Sequence, residues 1–248
     1  LAGGCIVSRN VRVFGLGESA METILHDMMA SMKNPTIAPY AKTSECFARV
    51  TAKADTPEQA EQMLEPVVEQ VVSMLGDSVY GVDVDSLEQV VGDGLRERGM
   101  TLAVAESCTG GLLSKRITDL PGASEYYKGG VCSYANEVKV KVLGVSEQTL
   151  AEKGAVSPEV AEQMARGVME LMGTDFGVGI TGVAGPGGGT EEKPVGLVYI
   201  SVCLRGVCHT REMRSSLGRD RVRNQAASTA LDLVRRLLPE DQCDQKGR

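Results

Sequence analysis

The residues best placed for chemistry lie in three stretches where a strand-like run ends. The first is AESCTGG at residues 105–111, which follows the apolar run 100–105 and precedes a helix-like run over 112–120. A serine at such a junction lies beside free backbone N–H groups and the positive end of a helix dipole, which suit an oxyanion or a phosphate. The paired glycines allow a tight turn close to a ligand. Ser107 is therefore a candidate nucleophile, although an ordinary glycine-rich turn carries the same pattern.

A nucleophilic Ser107 needs a base, and the chain offers few histidines. His26 and His209 are the two in the sequence, so a Ser-His-Asp triad has little material. A lysine whose pKa is lowered by burial can take the role instead. Lys115 lies eight residues along the same predicted helix, about 12 Å away, which is too far to reach. Cys108 is a rival nucleophile, because thiolates are stronger nucleophiles than hydroxyls.

A second junction, SYANEVK at residues 133–139, supplies a lysine at a useful position. Asn136 is a favourable helix cap, and Lys139 follows three residues later on the same face of the helix that begins there. If this strand neighbours the strand of the first junction, both open at one sheet edge, the usual ligand crevice of open α/β folds. The alternative is that Lys139 and Lys141 are solvated helix charges and that Tyr134 is a packed ring.

A third junction, GITGVAGPGGG at residues 179–189, leads into EEKPVG at 191–196. The seven glycines between residues 177 and 189 are not expected to hold a core. They predict close backbone approach to a ligand or a mobile loop over a site. The stretch is not a Walker loop, because no Gly-Lys-Ser/Thr ends it, and it lacks the dinucleotide-binding spacing. A plain flexible hairpin is the alternative.

The elements around these junctions fall into two halves that meet near residue 84. The first half is predicted as β-α-β-β-α-β, a small α/β domain over residues 1–83. The second half mixes strands and helices and predicts a three-layer α/β fold over residues 84–240, followed by a polar tail at 241–248. The predicted strands are 11–14, 36–38, 46–52, 79–82, 100–105, 130–134, 176–180, 195–203 and 207–214. The predicted helices are 18–32, 57–75, 87–98, 112–120, 136–143, 146–152, 158–172 and 219–238.

Composition limits the classes of partner. The net charge of −7 argues against broad nucleic-acid binding, and the 4% aromatic content without Trp argues against a base-stacking platform. A small anionic ligand is still compatible, because Arg219, Arg221 and Arg223 gather positive charge locally. No apolar run approaches the roughly 20 residues that span a bilayer, so no membrane partner is predicted.

The cysteines predict free thiols. There are seven of them, an odd number, without a framework spacing or a Cys-x-x-Cys pair that would suggest zinc. Cys203 and Cys208 could face each other across a hairpin, but their spacing is weak evidence for a bond. We therefore expect reduced thiols in a reducing cytoplasm, and no metal centre.

Together, the junction motifs resemble the C-terminal domain of the CinA family of competence/damage-inducible proteins, over about residues 84–238. The matching stretches are 105–111, 134–137, 154–157, 181–186 and 193–196. RVFGLGES at 12–19, PTIAPYAK at 35–42 and YGVD at 80–83 resemble the family's small KH-like linking domain. The resemblance implies a three-layer α/β/α deamidase domain preceded by a KH-like α/β domain. It also implies a large N-terminal domain, similar to molybdopterin-cofactor proteins, that we expect this sequence to lack as a fragment.

The activity that the resemblance implies is hydrolysis of the carboxamide of nicotinamide mononucleotide (NMN), a reaction of pyridine nucleotide salvage, without a cofactor. Ser107, preferred to Cys108 on the family chemistry, would attack the amide carbon. Lys139 would accept and return the proton, and Tyr134 would orient that lysine or relay the proton. Backbone N–H groups near residues 108–110 would stabilise the oxyanion. The substrate-binding residues would be Thr109, Gly110, Asn136, Thr181, Gly182, Ala184, Gly185, Arg219 and Arg223.

Two other functions are compatible with the sequence. A non-catalytic nucleotide-binding module, with the glycine-rich loop as its sensor, predicts binding without turnover and gives Lys139 no role. RNA binding through the first half is suggested by the KH-like resemblance, but GLG at residues 15–17 is too short for a Gly-x-x-Gly loop and the acidic charge opposes it. The family resemblance also implies a homodimer.

Overall fold

Two compact units divide the chain in the computed structural model, which describes residues 4–41 and 46–238. The first unit ends at Ser86 and the second begins at Leu87. The sequence predicts this boundary a few residues earlier, between 83 and 84. The predicted polar tail at 241–248 lies outside the described residues.

The first unit has the predicted order β-α-β-β-α-β. Its elements are β1 (Cys5–Val13), α1 (Glu18–Ser31), β2 (Thr36–Ala41), β3 (Cys46–Ala54), α2 (Pro57–Leu75) and β4 (Val79–Val82). The strands form one antiparallel sheet in the order β2-β3-β1-β4, and both helices pack against it and against each other. α2 begins where predicted because the hydroxyl of Thr56 accepts the N–H of Gln59 and Pro57 occupies the first turn.

Apolar side chains fill the space between these helices and the sheet. Val11 and Val13 of β1 are fully buried, as are Met21 and Leu25 of α1 and Leu64 of α2. The spacing of two along the strand and four along the helix places each set on one face. This periodicity is the signal that predicts these elements from the sequence.

The second unit has three layers. Its elements are α3 (Leu87–Arg98), β5 (Leu102–Glu106), α4 (Leu112–Thr118), β6 (Tyr127–Cys132), α5 (Asn136–Leu143), α6 (Glu147–Lys153), α7 (Pro158–Met172), β7 (Phe176–Gly182), β8 (Leu197–Leu204), β9 (Val207–Arg214) and α8 (Arg219–Leu237). The sheet order is β6-β5-β7-β8-β9, with β6, β5 and β7 parallel and β8 and β9 added antiparallel. α7 packs on one face with α5 and α6 against it, and α8 packs on the other with α3 and α4. The predicted α/β/α architecture is confirmed.

Two glycines of β7 have a packing role. A Cβ at Gly177 would lie 2.1 Å from the carbonyl oxygen of Ala165, and one at Gly179 would lie 2.2 Å from that of Ala161. Glycine at these positions therefore lets α7 approach the strand closely. The prediction that the glycines between 177 and 189 do not hold a core is wrong for these two.

The prediction that all cysteines are free thiols is also wrong at one pair. β8 and β9 pair with Cys203 opposite Cys208, and these two residues form a disulfide. The short hairpin between β8 and β9 brings the two cysteines together. Their spacing in the sequence alone did not establish the bond. The free cysteines among the described residues are Cys5, Cys46, Cys108 and Cys132, and Cys243 lies outside those residues.

Two features are absent from residues 4–41 and 46–238. No helix there combines the length and the apolar character needed to cross a membrane. No group of three or more His, Cys, Asp or Glu residues in the same ranges is arranged to hold a metal ion.

Candidate active site

The carboxyl ends of three parallel strands bring the predicted junctions together. β5, β6 and β7 end at Glu106, Cys132 and Gly182, so the residues that follow lie at one edge of the sheet. Ser107 extends the ladder between β5 and β7, since its N–H donates to the carbonyl of Ile180 at 2.9 Å. The sheet therefore holds the backbone of the predicted nucleophile.

Lys139 contacts Ser107 at this edge. Its Nζ lies 3.2 Å from the Oγ of Ser107 and donates to the carbonyl of Ser133 at 2.6 Å. Lys139 is only 1% exposed, and burial lowers its pKa, opposed in part by the neighbouring Cys108. No carboxylate among the described residues forms an ion pair with it. A lysine in this environment can lose its proton and act as a base.

The N-cap of the helix that carries Lys139 lies one residue before the predicted cap. Ala135, with extended backbone, is the N-cap of α5, and Asn136 is the first helical residue. No side chain caps this helix. The predicted capping role of Asn136 is therefore wrong, but Lys139 still lies in the first turn of α5.

The turn after Ser107 depends on its two glycines. Gly110 and Gly111 have φ angles of +57° and +91°, in the left-handed region that other residues rarely adopt. The N–H of Gly110 donates to the carbonyl of Ser107 at 3.0 Å, which closes the turn. Gly110 is therefore unavailable as an oxyanion donor, contrary to its inclusion among the predicted donors at 108–110.

The N-terminal end of α4 is occupied by the protein's own carboxylate. The N–H groups of Gly111, Leu113 and Ser114 all donate to Glu106, at 2.8–3.1 Å. The sequence predicts that this helix end is free for an oxyanion or a phosphate, and that prediction is wrong. The N–H groups of Cys108 and Thr109 have no carbonyl or carboxylate acceptor among the described residues. Thr109 is fully buried, so the N–H of Cys108 is the remaining candidate oxyanion donor.

Cys108 is poorly suited to be the nucleophile. Burial raises the pKa of its thiol to about 11, despite the nearby Arg223 and the N–H groups of Cys108 and Thr109, which favour the thiolate. The thiol is therefore protonated at neutral pH, and a protonated thiol is unreactive. Ser107 is left as the better candidate.

A cavity of about 270 Å³ opens beside Ser107 and Lys139. The hydroxyl of Thr181 donates to the carbonyl of Ala155 at 2.7 Å, which ties the end of β7 to the loop before α7. Much of the wall is backbone of the glycine-rich loop, as the sequence predicts. The predicted substrate-binding residues that line the cavity are Asn136, Thr181, Gly182, Ala184, Gly185 and Arg219.

Arg219, the first residue of α8, joins two walls of this cavity. Its guanidinium donates to the carbonyl of Gly185 at 2.7 Å and to the hydroxyl of Tyr134 at 3.2 Å. Tyr134 also lines the cavity, but it is 64% exposed whereas the preceding Ser133 is fully buried. The Tyr134 hydroxyl therefore bonds to the arginine, whereas the described hydrogen bonds of Lys139 go to Ser107 and Ser133.

Three predicted substrate-binding residues lie outside the cavity wall, namely Thr109, Gly110 and Arg223. Arg223 donates to the carbonyl of Thr109 at 2.6 Å, and Thr109 is fully buried. Arg223 therefore supports the turn that carries Ser107, one helical turn along α8 from Arg219.

The sequence alone does not identify the two groups that hold Ser107 and Lys139 in place. In the sequence, Glu106 is one residue of a motif, and the signal that could identify its role is an acidic residue close before a helix, where it suits the positive end of the helix dipole. The carbonyl of Ser133 left no signal, because any residue type supplies a carbonyl and only the position of the backbone matters.

Residues 84–238 match the model of the CinA C-terminal domain, and residues 8–81 match that of the damage-inducible protein CinA KH domain. A CinA-like protein of Desulfovibrio desulfuricans is 54% identical over 239 residues, covering 95% of this chain and 56% of that protein. One from Dictyoglomus thermophilum is 50% identical over 235 residues, covering 95% and 57%. The chain spans a little over half the length of these curated relatives.

Solved structures give a consistent match. The competence/damage-inducible protein CihA of Agrobacterium tumefaciens is 39% identical with a TM-score of 0.60, covering 61% of this chain and 93% of that chain. The competence damage-inducible protein A of Klebsiella pneumoniae is 33% identical with a TM-score of 0.61, covering 63% and 97%.

Proposed function

This chain belongs to the CinA family, and we propose that its second unit hydrolyses the carboxamide of NMN to nicotinic acid mononucleotide and ammonia. The observation that carries the proposal is the contact of 3.2 Å between Lys139 Nζ and Ser107 Oγ at the floor of a small polar cavity. A serine paired with a buried lysine is an activated nucleophile for acyl transfer.

In the first half of the proposed reaction, Ser107 forms an ester with the substrate. Neutral Lys139 takes the proton from the Ser107 hydroxyl as the oxygen attacks the amide carbon. The carbonyl of Ser133 keeps the lysine amine in place at 2.6 Å during this transfer. Collapse of the tetrahedral intermediate breaks the C–N bond, and Lys139 returns the proton to the departing ammonia.

In the second half, water replaces ammonia. Lys139 removes a proton from a water molecule that attacks the ester carbon, and then protonates the Ser107 oxygen as it leaves. The products are the carboxylic acid, which loses its remaining proton to solvent at neutral pH, and the original serine. The N–H of Cys108 would stabilise the oxyanion in both halves, an effect worth about 3 kcal/mol for one donor.

The substrate phosphate is assigned to Arg219. Its two described acceptors, a carbonyl and a hydroxyl, are neutral, so its charge is available to an anion. Because Tyr134 holds this guanidinium, we assign the tyrosine to substrate positioning. Asn136, Thr181 and the loop residues Gly182, Ala184 and Gly185 would surround the ribose and the pyridine ring.

The test is release of ammonia from NMN, compared with nicotinamide and nicotinamide riboside. We expect turnover of NMN, much weaker turnover of the two compounds without phosphate, and loss of roughly 10³-fold or more in Ser107→Ala. Ser146→Ala is the matched control, because Ser146 caps α6 outside the cavity and should leave kcat unchanged.

The other outcomes separate the alternatives. Turnover that survives in Ser107→Ala would exclude this serine as the nucleophile. NMN binding by the folded protein without ammonia release would favour the non-catalytic nucleotide-binding module.

A further inference from the structure

We propose that Glu106 is a positioning residue that fixes Ser107 for reaction, an inference that rests on the proposed hydrolytic role of this site. Glu106 is the last residue of β5 and precedes Ser107 directly. Its side chain is 1% exposed, and no described cation forms an ion pair with it. A buried carboxylate without a cation is costly unless hydrogen bonds compensate for lost water.

Among the described residues, the hydrogen bonds that compensate come from the start of α4. One carboxylate oxygen accepts the N–H groups of Gly111 and Leu113 at 3.1 and 3.0 Å. The other accepts the N–H and the hydroxyl of Ser114 at 2.8 and 2.7 Å. These four bonds, together with the positive end of the helix, stabilise the negative charge of Glu106.

Residues of β6 pack against Ser114, one of the groups that bind the Glu106 carboxylate. Burial raises the pKa of Tyr127, and the neighbouring Ser114 opposes that shift. A Cβ at Gly130 would lie 2.7 Å from the Tyr127 hydroxyl and 2.9 Å from that of Ser114, so glycine is needed there. Glu106, Ser114 and Tyr127 therefore form one packed polar chain between α4 and β6.

The polar chain of Glu106, Ser114 and Tyr127 acts on Ser107 through the backbone. The N–H of Ser107 is bonded to β7, and the turn that follows it is anchored at Gly111 by Glu106 and at Thr109 by Arg223. With its backbone held on both sides, Ser107 keeps its hydroxyl at Lys139. The same bonds consume the helix N–H groups and put a negative charge there, so the substrate phosphate is directed to Arg219.

Glu88 provides a matched comparison. Its carboxylate, also largely buried, accepts the Nε of Arg116 at 2.5 Å and so ties α3 to the middle of α4. Both glutamates anchor the same helix, but only Glu106 bonds to the residues beside the nucleophile. A merely structural role would make the two substitutions equivalent in their effect on the reaction.

The experiment compares Glu106→Gln with Glu88→Gln in the full chain. One readout is the rate at which a fluorophosphonate probe labels Ser107, which requires no NMN. The others are kcat and KM for ammonia release and the melting temperature. For Glu106→Gln we expect labelling and kcat to fall by about 100-fold with KM within about threefold, since small displacements of a reacting group cost this much. Glu88→Gln should lower the melting temperature while labelling and kcat stay within about threefold.

Ser114→Ala keeps the test decisive if Glu106→Gln does not fold. It removes one of the four bonds, so we expect a smaller loss of labelling and kcat at unchanged KM. Equal labelling in the wild type and Ser114→Ala, or equal losses in Glu106→Gln and Glu88→Gln, would overturn the proposal. Wild-type protein that labels at Ser107 but releases no ammonia from NMN would overturn the substrate assignment, while the labelling rates would still decide the role of Glu106.

Discussion

The two units of this chain bury different kinds of side chain. Among the described residues of the first unit, no Asp, Glu, Lys, Arg, Ser or Thr is buried. The second unit buries Glu106, Thr109, Ser133, Lys139, Ser157, Thr181, Ser201, Ser228, Thr229 and Asp232. Because burial of a polar group is unfavourable without partners, each of these residues requires a reason for its position.

The difference shows that a buried charged residue marks the candidate site when it lacks an oppositely charged partner, and that burial alone does not mark it. Asp232 of α8 is fully buried but forms ion pairs with Arg211, Arg235 and Arg236, which is a structural arrangement. Lys139 is equally buried, yet its described acceptors are a carbonyl and a hydroxyl. An ionisable group held without an opposite charge has its protonation state shifted, and that shift is useful in catalysis.

The largest effect on kcat is expected at Lys139. Lys139→Met should lower kcat by roughly 10³-fold, because the reaction loses its general base and acid. Lys139→Arg should not restore activity, since a guanidinium stays protonated. Lys141→Met, an exposed position on the same helix, is the control and should leave kcat unchanged in ammonia-release assays. A Lys139→Met enzyme with near wild-type kcat would make this lysine structural.

The next effect is on the pH dependence of kcat/KM. Burial lowers the pKa of Lys139 from its ordinary value of 10.5, so the active neutral form appears at lower pH than for a free lysine. The rate should rise about tenfold per pH unit below the folded pKa and then level off. Cys108, with a pKa of about 11, stays protonated across this range and does not contribute. A rate that is flat, or that falls as pH rises from 6 to 10, would contradict the assignment of a lysine base.

The same shift predicts how stability depends on pH. Because the folded pKa of Lys139 lies below the unfolded value, the unfolded state binds more protons between the two. The free energy of unfolding should therefore rise with pH through that window. Denaturant titrations of the wild type and Lys139→Met should differ in this slope, and identical slopes would show that the lysine is not perturbed.

A smaller effect is expected at the arginine that lines the cavity. Arg219→Gln should raise KM for NMN by about 10- to 100-fold with a lesser change in kcat, because it removes a charge-assisted bond to phosphate. Arg221→Gln, an exposed neighbour outside the cavity wall, is the control. Initial rates with nicotinamide riboside should be the same for both variants. A riboside rate that also drops in Arg219→Gln would show that the arginine acts on more than the phosphate.

The smallest effect on activity is expected in the core of the first unit. Leu64→Ala should cost about 2–5 kcal/mol in the stability of that unit and leave kcat unchanged below its melting temperature. The matched variant Leu143→Ala creates a cavity at the end of α5, one turn after Lys139, and should lower kcat several-fold. Hydrogen exchange would report the stability of each unit and ammonia release the activity. Loss of kcat in Leu64→Ala alone would mean that the first unit takes part in the reaction.

Much of the secondary structure could be predicted from local patterns. The bounds of α2, α3, α5, α7 and β9 agree with the sequence prediction at both ends. Proline in the first turn after a Thr or Ser cap marks the starts of α2 and α7, and apolar periodicity defines the rest. β1 begins six residues before its predicted start, because the polar run Ser8–Asn10 interrupts the apolar pattern between Val7 and Val11.

The sequence by itself determined which elements form and which junctions could carry a nucleophile and a base, because caps, periodicity and motif spacing are local. Only the tertiary structure decided which residues contact one another. Arg219 and Arg223 lie four residues apart on one helix face, so no pattern could say which one faces the cavity. Tyr134 contacts Arg219 of α8, 85 residues further along the chain, and Gly177 and Gly179 owe their role to how closely α7 packs on β7. Glu106 bonds to residues only five to eight positions later, because the turn after Ser107 places the start of α4 beside its carboxylate. All of these distances depend on the packing of the whole unit.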